Sequence, residues 1–184
     1  MMSNDYYEIV KDILENDEFK KRKNYAHHGS ISVYDHSLKV SMLAYELSKK
    51  IKGADSKSVA IGALLHDFYD KPWQIKKAKT KFIKKHAFTH ASEALENTRK
   101  VFPEYINDKV EDIIEKHMFP LNITPPKYIE SWIVTMIDKY VSMEVFAKPE
   151  FFLYLFGLKN NEPSYVDGDL KKDLVLIKNI VNKE

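Results

Sequence analysis

A chain of 184 residues with 44% apolar and 30% charged residues is long enough for one domain with a full core, and its composition is that of a globular protein. The formal charge of +2 and the presence of just two arginines, Arg22 and Arg99, give no basis for nucleic-acid binding through bulk charge or forked guanidinium readout. Cysteine is absent, which excludes disulfides, thiolate metal sites, iron–sulfur clusters and a thiol nucleophile.

With only 5 Gly and 7 Pro, a turn-rich β fold is not expected, and the hydrophobic periodicity is helical throughout. Ser3 or Asn4 caps a first helix over 5–14, with Tyr6, Ile9, Val10 and Ile13 on one face, and Asn16-Asp17 ends it. A short basic segment, 19–24, leads to a loop over 26–30 that holds His27 and His28. Ser32 caps the second helix, with Asp35 in a capping-box-like position. His36, Val40, Leu43 and Leu47 then share one face.

Gly53 ends that helix and Asp55 starts the next, which is apolar nearly all round through Val59, Ile61, Ala63, Leu64 and Leu65 and is therefore buried. It closes on His66-Asp67. An aromatic exit over 68–73 and a lysine-rich connection over 74–85 follow. Phe68, Tyr69 and Trp73 read as core rather than as a stacking platform, and the lysines of the connection as a solvated surface. Thr89 is expected to cap a helix from 90 to about 100, with Pro103 marking its end.

Asn107 or Asp108 caps a helix with Val110, Ile113, Ile114 and His117 on one face, and Met118-Phe119-Pro120 stops it. Pro125-Pro126 is expected to open a long helix to about 146, whose stripe of Val134, Val141 and Val145 includes Asp138. An apolar helix over 151–158 and an amphipathic one over 170–182 complete a single all-α domain spanning 1–184. No leader core and no bilayer-length apolar run is found, so the expected location is the cytoplasm, without membrane association.

Three helices each place one metal-competent side chain on an apolar stripe: His36, His117 and Asp138. A fourth ends in His66-Asp67, and His90 lies on a fifth. One such histidine is usually a satisfied core residue. Several together, without enough acidic partners on the same faces, point instead to a shared cation, and imidazole with carboxylate suits iron, manganese, zinc or nickel.

The ordered set His36, His66-Asp67, His90, His117, Asp138 resembles the HD-domain superfamily of metal-dependent phosphohydrolases. The local sequences Tyr34-Asp35-His36-Ser37-Leu38-Lys39-Val40, Ala63-Leu64-Leu65-His66-Asp67, Thr89-His90-Ala91-Ser92-Glu93-Ala94, Glu115-Lys116-His117 and Ile137-Asp138-Lys139 carry the likeness, over a core motif region of 33–142. It implies an all-helical HD-type bundle; beyond the matched region, 150–184 reads as a C-terminal helical extension, rich in Phe, Leu and Tyr, that caps the core or forms a homodimer contact. In binuclear members two histidines join the ligand set, and His90 and His117 fit those places. The resemblance therefore implies two divalent ions, Fe or Mn foremost, with Zn, Ni or Mg as alternatives. Asp67 would bridge them, with His36, His66 and Asp138 on one and His90 and His117 on the other. Two ions about 3.5–4 Å apart can share a water and lower its pKa, giving a bridging hydroxide that attacks phosphorus.

The implied substrate is a nucleotide or other small phosphate ester. Asp67 and His86 are the candidate catalytic residues, His86 as proton donor to the leaving oxygen. His28, Lys71 and Lys139 are candidate substrate contacts. Many family members carry a glycine and a lysine soon after the HD pair; here the run is His66-Asp67-Phe68-Tyr69-Asp70-Lys71, with no glycine and the lysine one place later. Two rival functions use the same ligands: a di-iron oxygenase of the same fold, and a non-catalytic binding or regulatory protein with a structural metal.

Overall fold

The computed structural model describes residues 3–25, 31–70 and 81–146, with only the backbone described for 81–89 and 143–146. Within these bounds the elements are α1 (Asn4–Glu15), α2 (Asp17–Lys20), a 3₁₀ turn (Lys21–Asn24), α3 (Val33–Ser48), α4 (Ser56–Leu65), α5 (Lys81–Val101), a second 3₁₀ turn (Pro103–Tyr105), α6 (Asp108–Lys116) and α7 (Ile129–Phe146). No described element is a strand, so the fold is all-α as the periodicity predicts. No described helix is long and apolar enough to cross a membrane. The helices expected over 151–158 and 170–182, together with His27, His28 and Lys71, lie outside the described residues.

The caps follow sequence rules closely. Ser3 accepts from the Tyr6 amide, Ser32 from Asp35, Asp55 from Lys57 and Ser58, and Asn107 from Lys109 and Val110. Asn16 both follows α1 and caps α2, turning the basic segment into a short helix and a 3₁₀ turn that the periodicity did not reveal.

Three boundaries differ from expectation. α3 ends at Ser48 with Lys49 as its C-terminal cap, five residues before Gly53, whose φ of 84° serves the turn that follows. α5 begins at Lys81, not His90, so Thr89 lies inside it rather than at its start. No Gly or Pro interrupts 81–101, and a favourable cap residue permits a helix start without forcing one. α7 begins at Ile129, three residues after the Pro125-Pro126 pair. Its first turn is capped from another helix: Asp112 Oδ2 accepts from the amides of Lys127 (2.9 Å) and Tyr128 (3.3 Å) and from Ser131 Oγ (2.6 Å). Glu130, on that same turn, is buried, and its Oε1 accepts from the Asp55 amide and from Lys109 Nζ, both at 2.7 Å, tying α7 to the starts of α4 and α6.

α4 is the central rod, with every residue from Ser58 to Leu65 buried. One apolar cluster packs α1 and α2 through Tyr6, Val10, Ile13 and Phe19 against Leu64, Leu65, Phe68 and Phe102. The other joins α3, α4, α6 and α7 through Val40, Leu43, Ala63, Ile113, Val134 and Val141. Gly62 makes the α4–α6 contact close: a Cβ there would stand 2.7 Å from Ile113 Cδ1, 2.9 Å from Cγ2 and 3.0 Å from Cβ. Gly62 lies one turn before His66 and Ile113 one turn before His117, so this contact sets the spacing of the two histidines.

Gly62→Ala should therefore destabilise the fold although alanine favours helix. Overpacking against a β-branched side chain costs about 1–3 kcal/mol, and helix propensity returns up to about 1 kcal/mol. The melting midpoint should fall by about 2–6 °C in differential scanning calorimetry; an unchanged or raised midpoint would show that the helices have room to spare.

Candidate metal centre

The HD pair sits where α4 stops. His66 is the C-terminal cap of α4 and His117 that of α6, both in right-handed helical conformation. Each turns its ring back onto its own helix. His66 Nδ1–H donates to the Ala63 carbonyl at 2.6 Å, and His117 Nδ1–H to the Ile114 carbonyl at 2.7 Å. Those bonds fix the tautomer and leave Nε2 of each ring as a lone pair facing the cluster. The two rings meet edge to face, 4.9 Å between centroids.

α3 contributes His36, near its start, and α7 contributes Asp138; His36 Nε2 lies 3.0 Å from Asp138 Oδ1. α5 contributes His90, whose Nε2 is 3.2 Å from His117 Nε2. With the His117 proton on Nδ1, two imidazole nitrogens at that distance need a proton or a cation between them. Asp67 stands in the middle. Its Oδ2 faces His66 Nε2 at 3.4 Å and His36 Nε2 at 3.9 Å, and its Oδ1 faces His90 Nε2 at 3.6 Å and His117 Nε2 at 3.7 Å. Asp138 Oδ1 is 3.6 Å from His66 Nε2 and also lies 3.4 Å from Ser142 Oγ.

The six residues predicted from the sequence are thus brought together from five helices and the turn after α4. Five of them form two triads that share Asp67, His36–His66–Asp67 and Asp67–His90–His117, each with ligand atoms within 4.8 Å of one another, and Asp138 stands beside the first, 3.0 Å from His36. Five of the six are less than 8% exposed. The donor set fits divalent ions: every histidine offers Nε2, and His66 Nε2 is fully buried with no hydrogen-bond partner, an orphaned atom aimed into the cluster.

Electrostatics around the cluster point the same way. Burial alone would push the His66 pKa down, but the carboxylates of Asp67 and Asp138 win and push it up to about 9. His117 goes the other way, down to about 3, through burial and the neighbouring His66 and His90 rings, so it stays neutral as a ligand must. Asp138 is held well below the usual carboxylate range: burial opposes this, but His36 and His66 outweigh it. A cation held among these groups would balance the same buried carboxylates that raise the His66 pKa.

The other predicted residues are placed as follows. Lys139 is largely buried and its Nζ donates to the His117 carbonyl at 2.8 Å; it anchors the end of α6 beside the cluster, and burial pushes its pKa down. His86 stands four residues before His90 in the same helix, one turn away, with its side chain outside the described set. Phe68 and Tyr69 are buried, as expected of core, and the Tyr69 ring meets His90 edge-on, 6.0 Å between centroids. Sequence reasoning did not anticipate the backbone carbonyls of Ala63 and Ile114 or the hydroxyl of Ser142. The signal for the first two is a histidine ending an apolar helix, where carbonyls three residues back have no helical donor.

Structural comparison finds two structures of the HD domain of the L. monocytogenes phosphodiesterase PgpH. One, in complex with cyclic-di-AMP, is 16% identical over 90% of this chain and 93% of that one, with a TM-score of 0.58. The other is 15% identical over 91% and 96%, with a TM-score of 0.54. At that identity the likeness is one of fold. No curated protein matches the chain in sequence. The HD-domain family profile matches residues 33–143, more than half of the chain, including all six clustered residues. The chain belongs to the HD-domain family.

Proposed function

We propose that this protein is a metal-dependent phosphohydrolase acting on a nucleotide or other small phosphate ester, and that the six clustered residues hold two divalent ions. The single observation that carries this reading is the division of Asp67: one carboxylate oxygen faces the His36–His66 pair and the other the His90–His117 pair. A carboxylate split between two pairs of imidazoles is built to bridge. A single structural ion needs only one of these sets. The PgpH domain that shares this fold is a phosphodiesterase with a bound cyclic dinucleotide, which supports a phosphodiester or nucleotide substrate here.

When bound, a pair of ions supplies Lewis acidity toward phosphate oxygens and a nucleophilic water near neutral pH. The chain supplies the rest. Asp67 orients both halves of the centre, and Asp138, held ionised, balances the charge of the first half. The Nδ1 bonds to Ala63 and Ile114 fix two rings so that their Nε2 atoms need no reorientation. Lys139, paired with the His117 carbonyl, brings positive charge beside a site that receives an anionic substrate. His86, one turn before His90, is the proposed proton donor to the leaving oxygen, and His28 and Lys71 are the proposed further substrate contacts. Iron or manganese is the proposed metal, on an all imidazole and carboxylate donor set.

Protein purified without chelator should contain about two equivalents of metal by elemental analysis and should release phosphate or a nucleotide monoester from a panel of nucleotides and cyclic dinucleotides. Two irons with dioxygen uptake and no phosphate release would replace this reading with the oxygenase. A fully loaded protein without turnover would favour a structural or regulatory metal. No metal after reconstitution would remove the centre altogether.

Variants test the division of labour. Asp67→Asn should empty most of both sites and lower kcat by about a hundredfold or more, whereas His90→Ala should remove mainly one equivalent. Full metal content in His90→Ala would contradict the binuclear assignment. Chelation should also lower the melting midpoint: free metal at about a hundred times its Kd stabilises by about 2.7 kcal/mol, or roughly 5–10 °C for a domain of this size.

A further inference from the structure

We infer that Arg22 is a positioning residue for the metal-bearing turn, setting the distance between Asp67 and His90 from outside the cluster. This rests on the binuclear reading above. Arg22 is the largest fully buried side chain among the described residues, at 1% exposure. Burying a guanidinium is expensive, and an apolar side chain would fill the same space between α2, Tyr25 and Phe68. Its geometry indicates what the charge is for. The guanidinium carbon stands 4.0 Å over the Phe68 ring. Nη1 donates to the Glu18 carbonyl and Nη2 to Asp70 Oδ1, each at 2.7 Å. Both Phe68 and Asp70 belong to the turn that leaves Asp67, so Arg22 grips that turn by a stacked face and by an ion pair.

The opposite side of the turn is held by α5. Asp70 N–H donates to Glu93 Oε1 at 3.1 Å, and Asn97 Nδ2 donates to the Phe68 carbonyl at 3.1 Å. His90, Glu93 and Asn97 fall at i, i+3 and i+7 and share one face of α5. The face that aims His90 at Asp67 Oδ1 is therefore the one that binds the turn after Asp67. Arg22 closes this arrangement, pressing residues 68–70 onto α5 and fixing the Asp67–His90 separation of 3.6 Å. Both halves share Asp67, but the groups that complete the other half, His36, His66 and Asp138, come from α3, α4 and α7 and make none of these contacts. Loss of Arg22 should accordingly fall on one half of the centre.

The test is calorimetric titration of manganese into the chelator-treated full chain, as wild type, Arg22→Met, Arg22→Lys and Asp70→Asn, with His90→Ala marking the step that belongs to the His90–His117 half. Arg22→Met keeps the buried volume without the charge. Asp70→Asn breaks the pair at its solvent end, since the Asp70 side chain is 58% exposed, and remains informative if the arginine variant does not fold. The step lost in His90→Ala should weaken about 10- to 100-fold in Arg22→Met and Asp70→Asn, and less in Arg22→Lys, while the other step stays within about twofold of wild type. Circular dichroism of the metal-free variants checks that the helices are intact. Wild-type affinity at both steps, or equal losses at both, would overturn the positioning role while leaving the binuclear reading in place. A wild-type chain that takes up fewer than two equivalents would overturn that reading and this inference with it.

Discussion

The carboxylate of Asp67 is the constraint around which the fold is arranged. It is 4% exposed, and imidazoles from α3, α5 and the ends of α4 and α6 converge on its two oxygens. A buried carboxylate without compensation is among the most destabilising things a core can contain. Here the compensation comes from four separate parts of the chain, so the same groups that make the centre also require those helices to meet. The helix ends therefore have little freedom in their placement.

Close packing and polar contacts outside the cluster provide that accuracy. α4 is buried along nearly its whole length, and Gly62 lets it approach α6 closely one turn before each helix delivers its histidine. α7 is indexed against α6 by Asp112 and against the starts of α4 and α6 by Glu130. Each of these contacts is short and specific, and each lies within a few turns of the cluster. A shift of one helix by a fraction of an ångström would be transmitted to the Nε2 atoms, because close-packed interiors deform little.

Buried polar groups in this protein fall into three kinds. Among the described residues the cluster holds every buried histidine and aspartate. Staples such as Glu130–Lys109 and the Tyr6–Ser41–Ala60 relay join helices, the latter through hydrogen bonds of 2.7 and 2.6 Å linking α1, α3 and α4. Arg22 stands apart, since it joins the N-terminal helices to the turn that follows the HD pair. That gives α1 and α2, which lie outside the matched 33–143 region, a physical connection to the centre.

The helical class, the caps at Ser3, Ser32, Asp55 and Asn107 and the buried character of α4 were legible in the sequence, because each depends on residues within one or two turns of one another. The six clustered residues were legible for a related reason: a histidine or aspartate on an apolar stripe is a local anomaly, and the ordered set resembled a known family. Other features had no local signal. The start of α7 depends on Asp112, on another helix, and Thr89 permits a helix start without forcing one, so both boundaries were misplaced. Arg22 read as one member of a basic segment, since only tertiary structure stacks it on Phe68 and pairs it with Asp70. The sequence alone determined which residues could bind a cation and on which helices they lie. The resemblance already implied that Asp67 is shared; only the tertiary structure shows how its two oxygens divide between two histidine pairs, because that division depends on how α3, α5 and the ends of α4 and α6 meet in space rather than on the spacing within any one of them.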